Sequence, residues 1–286
     1  MKFFLFGLGN WFKDLSLITE ATVEAEKLGF DGVLMPDHYM WGWDRGPDDY
    51  VTLETWITLT YLAAMTERIR LGTLVTPIPF RPPAILAKML STLDILSRGR
   101  VILGVGAGWS QVEFEGYSAW SSPKIRVDKT QEGLELMLRL WTEDEVTFSG
   151  QYYTAERAVL EPKPVQTPYP QLLFGGRGDR MLKLAGRYAD ICYIGPPSPT
   201  PEEVEKAKEK VLTTAMRFNR KNKIAFMAGD IDQRLTSYSL KEYFRKVTDA
   251  VETGASYFLT NIPRTDQKRS LNLMKKIARE VIPSFK

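Results

Sequence analysis

The chain has one cysteine, Cys192, and one histidine, His38, in 286 residues. A lone cysteine excludes an intramolecular disulfide. With only one histidine beside it, a zinc site built from several soft ligands is excluded as well, so no metal is expected. Cys192 lies in the apolar run Ile191-Cys192-Tyr193-Ile194 and reads as a buried spectator thiol. No charge of one sign dominates: 38 basic against 35 acidic residues leave +3, interspersed along the whole length. Such a surface offers no face to a polyanion, which argues against nucleic acid as a partner. No apolar run approaches the roughly 20 residues that span a bilayer, and Met1 to Gly7 is too short and too weakly basic for a signal peptide. A cytoplasmic protein that meets neither membrane nor nucleic acid is expected. Low-complexity segments and a convincing linker are also missing, and no repeat exceeds a strand with its helix.

What is present is alternation. Apolar strands are expected near Phe3–Gly7, Gly32–Met35, Ile69–Thr76, Val101–Val105, Gln171–Phe174, Ile191–Ile194, Ile224–Met227 and Ser256–Leu259. Amphipathic stretches follow them at Leu15–Leu28, Val51–Thr66, Pro83–Leu96, Val127–Trp141, Asp179–Tyr188, Pro201–Asn219, Leu240–Glu252 and Asp266–Val281. Strands this continuously apolar are buried on both faces. Eight such units therefore predict a closed parallel (β/α)8 TIM barrel, with residues 1–286 folding as one domain. Gly29 closes the first helix, and Pro201 with Glu202 and Glu203 opens the sixth.

Three insertions break the regularity. Tyr39–Tyr50 and Ala107–Ile125 follow strands and should crown the C-terminal face of the barrel. Glu145–Pro170 carries a hairpin-like stretch from Val146 to Tyr153, then the proline-rich Pro162–Pro168. It precedes the fifth strand and should pack lower on the barrel.

Asp37-His38 ends the second strand just after Pro36, at the mouth where barrel enzymes place their chemistry; both side chains can carry or move a proton. Gly104, Gly106 and Gly108 alternate along the fourth strand and its exit, letting backbone pass close to a flat ligand; no helix follows directly, so they are no dinucleotide fingerprint. Gly175-Gly176-Arg177-Gly178 leads from the fifth strand into a helix, a geometry that turns bare N–H groups toward an anion such as a phosphate. Trp41, Trp43, Trp109, Tyr117 and Trp120 crowd two loops of the same face and suit a planar ligand. Each feature has a plain structural alternative: a loop-end Asp with an incidental His, tight-turn glycines, solvated arginines, packing aromatics.

As an ordered set these segments resemble the bacterial luciferase-like superfamily. The likeness runs from Gly29-Phe30-Asp31 and Asp37-His38 through Leu71-Gly72-Thr73 and Leu96-Ser97-Arg98-Gly99-Arg100. It continues through Gly104 to Trp109 with Glu113-Phe114, then Trp141, Phe148-Ser149-Gly150 and Pro162-Lys163-Pro164-Val165-Gln166. It covers Met1 to about Tyr193 and is nearest the branch dependent on the deazaflavin coenzyme F420. The resemblance implies a barrel that binds F420 or a flavin at its C-terminal face, commonly as a homodimer. It implies His38 and Asp37 at the cofactor and substrate, and Trp41 or Trp43 beside them. It also implies a bulge with a non-prolyl cis peptide at Thr73, Leu74 and Val75 backing the central ring, and Gly176 to Gly178 at the cofactor phosphate. One departure matters: in the branch that oxidises glucose 6-phosphate a glutamate follows the glycine matched by Gly108, and here that place is Trp109, which argues against sugar-phosphate dehydrogenation.

The expectation is an F420-dependent oxidoreductase that exchanges hydride with a small organic substrate. His38 would transfer the proton and Asp37 would orient it or contact the ring system. Asp37, His38, Thr73, Leu74, Val75, Gly106, Ala107, Gly108, Gly175, Gly176, Arg177 and Gly178 would hold the cofactor, and Trp41, Trp43, Trp109 and Glu113 the substrate. The alternatives are an FMN-dependent monooxygenase using reduced flavin and oxygen, and a catalytically silent flavin-binding barrel. Val51, Leu53, Trp56, Ile57, Leu59, Tyr61, Leu62 and Met65 spread wider than one barrel-facing stripe, which predicts a homodimer.

Overall fold

The computed structural model describes residues 1–7, 15–40, 52–194, 200–231, 239–262 and 267–286. β1 (Lys2–Phe6) leads to α1 (Leu15–Lys27), β2 (Gly32–Met35) to α2 (Thr55–Met65), and β3 (Arg70–Thr73) with its short continuation β4 (Thr76–Pro77) to α3 (Pro83–Leu96). β5 (Val101–Gly106) is followed by the short α4 (Gln111–Tyr117), the long α5 (Pro123–Thr142), and a hairpin of β6 (Val146–Ser149) and β7 (Thr154–Ala158). Then come β8 (Gln171–Gly175), α6 (Asp179–Tyr188), β9 (Ile191–Tyr193), α7 (Pro201–Arg217), β10 (Ala225–Asp230), α8 (Leu240–Glu252), β11 (Tyr257–Asn261) and α9 (Gln267–Glu280).

The ring closes. β1 pairs with both β2 and β11, and β3 reaches across to β5; every barrel pairing among the described residues is parallel. Taking β3 and β4 as one interrupted strand, this is the eight-stranded (β/α)8 barrel expected from the alternation. Strand side chains alternate between two cores. Phe4, Phe6, Leu34, Ile102, Leu173, Ile191, Met227 and Leu259 fill the barrel interior. Phe3, Leu5, Val33, Met35, Leu71, Leu103, Leu172, Phe174 and Phe258 pack outward under the helices. Water reaches neither face, which is why the strands read as unbroken apolar runs. Cys192 belongs to the outer core as a free, buried thiol, and burial pushes its pKa up to about 12, so it stays protonated at neutral pH.

The element boundaries follow from local chemistry. Gly29, at φ +84°, takes the left-handed turn after α1. Pro201 occupies the first turn of α7, where Thr200 and Glu203 cap each other's backbone amides. α2 begins at Thr55, later than expected, because Glu54 caps it by accepting from the Ile57 amide at 2.7 Å. α5 begins earlier than expected, at Pro123, with Ser122 as its cap. The hairpin forms, but its second strand starts only at Thr154. The amides of Gln151, Tyr152 and Tyr153 are taken by the Glu132 carboxylate and make the turn instead. The proline-rich segment packs at the N-terminal end of the barrel as expected: Gln166 donates to Asp94 and to the Val101 carbonyl and accepts from Arg70.

The third strand shows the irregularity that the family resemblance implies. It is interrupted, with a cis peptide between Leu74 and Val75. Beside it, β3 and β5 approach through glycines on both sides: a Cβ on Gly72 would lie 2.4 Å from the Ile102 carbonyl oxygen, and one on Gly104 2.0 Å from that of Thr73. The absent Cβ of Gly104 thus makes room for a neighbouring strand, not for a ligand. Gly104→Ala is therefore expected to destabilise the protein by about 1–3 kcal/mol or more in urea unfolding, since only backbone movement can relieve the overlap.

Candidate active site

The chain leaving β2 is tied down before it reaches the site. The Pro36 carbonyl accepts from Thr55 at 3.0 Å and the Tyr39 carbonyl from Thr52 at 2.7 Å, which fixes Asp37 and His38 between them. The two side chains part company there. Asp37 turns into the protein, 1% exposed, where Oδ2 accepts from Thr76 Oγ1 and Arg81 Nη1, both at 2.8 Å, and Oδ1 accepts from Arg81 Nη2 at 2.9 Å. Arg81 also pairs with Glu54, the residue that caps α2. Burial alone would lower the pKa of Arg81. The charge and hydrogen bond of Asp37, with the charge of Glu54, raise it instead, so the guanidinium is locked in its charged form. Its planar fork is what bidentate pairing with a carboxylate requires. It also lies over the Tyr39 ring, 5.0 Å from the centroid, and that ring packs against Phe80 and Tyr117.

His38 faces α4. Its Nδ1 is 2.6 Å from Oε2 of Glu113, while Oε1 of Glu113 accepts from the amides of Tyr39 at 2.7 Å and Met40 at 2.9 Å. The imidazole is 12% exposed and the carboxylate 2%. Burial pushes the Glu113 pKa up. The hydrogen bond and charge of His38 and the two amides outweigh it, and the net effect holds Glu113 below the usual carboxylate range. Trp109 meets the imidazole edge-on at 5.7 Å and is 66% exposed. Helix α4 is anchored by Phe114, fully buried against Phe80 at 4.5 Å and Trp120 at 5.7 Å. Gly108, at φ +76°, is where a Cβ would strike the Phe114 ring at 2.4 Å.

Two expectations change. Asp37 does not orient His38, and its burial leaves it little surface for a cofactor. Successive residues leaving a strand project in different directions, and Asp37 goes to Arg81. Glu113, expected at the substrate, is buried behind the imidazole and reaches the site only through it. Arg81 and Glu54 were not singled out from sequence. The available signal was Phe80-Arg81-Pro82-Pro83, a cation beside a proline stop just past the third strand.

The remaining segments converge on Val75. A Cβ on Gly106 would lie 2.4 Å from Val75 Cγ2, and one on Gly175 2.9 Å from Val75 Cγ1. Leu74–Val75, the end of β5 and the end of β8 thus meet at one mouth. Thr73 is buried behind them, its Oγ1 accepting from the Gly104 amide at 3.2 Å and lying 3.0 Å from Thr76 Oγ1. Ala107 is half-buried at the rim. Gly176, Arg177 and Gly178 are exposed, and Gly178 precedes α6 with no side chain capping its first turn, which leaves amide donors for an anion. Arg180 is engaged with Asp128 and the Lys124 carbonyl. Trp120 meets Phe114 at a tilt and lies under the Arg126 guanidinium, so it packs the insertion. Trp41 and Trp43 lie outside the described residues.

A closed parallel barrel whose acid–base pair, apolar step and bare helix N-terminus share the C-terminal mouth is the layout of a barrel enzyme site. Residues 7–230 match the family model of luciferase-like monooxygenases, and the chain belongs to that family. An F420-dependent glucose-6-phosphate dehydrogenase of Intrasporangium calvum is 37% identical over 188 residues, which cover 62% of this chain and 54% of that protein. The chain spans about half the length of such curated relatives. Two solved structures share the fold. The monooxygenase RslO1 of Streptomyces bottropensis has a TM-score of 0.81 at 20% identity over 100% of both chains. An F420-dependent secondary alcohol dehydrogenase in complex with an F420-acetone adduct has a TM-score of 0.81 at 24% identity, over 100% of this chain and 99% of that one.

Removing the guanidinium would leave the buried Asp37 carboxylate with the Thr76 hydroxyl as its remaining side-chain donor. Arg81→Ala is expected to cost about 3–5 kcal/mol in denaturant unfolding, the scale for an uncompensated buried charge. A loss below about 1 kcal/mol would show that Asp37 does not depend on it.

Proposed function

We propose that residues 1–286 form one barrel domain that works as an F420-dependent oxidoreductase on a small organic substrate. The observation that carries this reading is the only imidazole of the chain held at the barrel mouth, 12% exposed, within one site that also has an apolar step and an anion-accepting turn. The residues fit a deazaflavin with a phosphate-bearing side chain. Leu74 and Val75 offer an apolar surface to its ring system, and the amides of Gly176, Arg177 and Gly178 offer donors to its phosphate. When bound, the cofactor supplies or accepts the hydride at its C5. The protein's part is to orient the substrate, exclude water and move the accompanying proton, and His38 is the group placed to do so.

Trp109 shapes the substrate class. The relatives' sugar-phosphate activity finds no acid after Gly108 here, and the nearby carboxylate, Glu113, is buried behind His38. An exposed indole beside the imidazole favours a less polar molecule, with Trp41 and Trp43 proposed as further walls. A second reading, an FMN-dependent monooxygenase, is supported by the family match and by the monooxygenase among the structural neighbours. A catalytically silent barrel is disfavoured, since packing alone needs neither the imidazole nor its carboxylate. A cytoplasmic setting suits a single unpaired thiol, and no helix among the described residues is long and apolar enough to cross a membrane.

Titrating the purified protein separately with F420 and with FMN, followed by fluorescence, decides between the cofactors. Saturable binding of F420 with FMN much weaker is expected, and the reverse preference would overturn the F420 reading. With F420 and a turned-over substrate, His38→Ala should lower kcat by about 10²-fold or more while cofactor affinity changes little.

We also propose a homodimer. Ile57 on α2 and Ile85 and Leu96 on α3 are exposed along a groove of about 310 Å3 between the two helices, and Tyr61 and Met65 are exposed on α2 as well. A second copy offering the same face would cover it. Light scattering at micromolar concentration should give twice the 32.6 kDa chain mass, and Ile57→Glu should shift the protein toward monomer.

A further inference from the structure

We infer that Glu113 is a positioning residue that holds neutral His38 as the Nδ1–H tautomer, so that every proton the site exchanges passes through Nε2. This rests on the proposed role of His38 but concerns the free protein. A carboxylate has no proton to give, and two backbone amides donating to its other oxygen favour the ionised form of Glu113, so the 2.6 Å contact requires Nδ1 to be the donor. Its other oxygen is filled by two backbone amides of the same loop, so the carboxylate cannot swing away without breaking three contacts at once. An unconstrained imidazole, by contrast, samples both tautomers.

The arrangement is built from the sequence outward. Gly108 lets Phe114 lie against the strand exit, and Phe114 anchors α4. One residue before it, Glu113 then points at His38 rather than at solvent. The carboxylate that the glucose-6-phosphate branch places directly after the glycine is thus replaced by Trp109, and the carboxylate four residues further on works behind the imidazole. When substrate oxidation releases a proton, that proton bonds to the Nε2 lone pair and the ring becomes imidazolium. Nδ1 keeps its hydrogen, and Glu113 stabilises the added charge without itself taking a proton. Substrate reduction runs the same transfer backwards.

Because the chain has a single histidine, its imidazole can be read without assignment. In uniformly 15N-labelled protein without cofactor, at a pH where the ring is neutral, long-range 1H–15N correlation should show Nδ1 protonated and Nε2 unprotonated. Glu113→Gln, confirmed folded by circular dichroism, should lose that bias and shift toward mixed tautomers. With F420 and substrate its kcat should fall by about 10²-fold at nearly unchanged KM, as for a wrongly oriented base. A wild-type spectrum with Nε2 protonated and Nδ1 bare overturns the inference, whatever the variant does. A bias that persists in Glu113→Gln does so as well. An Nδ1–H spectrum together with full turnover in His38→Ala would instead overturn the catalytic role of His38 and leave the positioning by Glu113 standing.

Discussion

A carboxylate taken out of water must find donors or give up its charge, and at the mouth of this barrel two of them impose that demand side by side. Asp37 is met by a bidentate arginine and a threonine hydroxyl, Glu113 by an imidazole and two backbone amides. Between them these contacts fix the exit of β2, the start of α2, the approach to α3 and the whole of α4. The loop Pro36 to Met40 is held from both sides at once. His38 then inherits a single orientation as a consequence of charges that its neighbours had to satisfy.

The barrel makes this possible by being closed. Eight parallel strands leave no unpaired edge, so strand ends are free to depart from the ladder only at the mouth. There β3 breaks off, β5 and β8 end in glycines, and Val75 fills the space those glycines leave. The glycines serve the protein's own backbone first. Leu74 and Val75 are thereby brought forward at the mouth, because neighbouring side chains are missing.

The same mouth holds its carboxylate in a different place from the one the family resemblance implies for the sugar-phosphate branch. The family resemblance implies a glutamate directly after the glycine matched by Gly108 in the branch that oxidises glucose 6-phosphate. In this chain the rim position is an exposed tryptophan, and the nearest carboxylate lies one helical turn later, buried and committed to the imidazole. An acid at the rim suits a polar, charged molecule; an exposed indole edge-on to the imidazole suits the less polar substrate proposed above.

The sequence by itself determined the barrel. Continuous apolar strands with an intervening helix after each have one economical way to bury both faces, and the periodicities of Phe3–Gly7, Gln171–Phe174 or Asp179–Tyr188 are local properties. It also determined that Asp37, His38 and the glycine turn after β8 share one end, because all follow strands of a parallel sheet. What it could not fix was which side chain each of those residues would meet. Asp37 finds Arg81 across 44 residues and His38 finds Glu113 across 75. Nothing in the local spacing separates those pairings from an Asp37–His38 contact. Only the packed structure decides, because the donors and acceptors at the mouth come from three different strand–helix units, and burial makes each choose the one partner within reach.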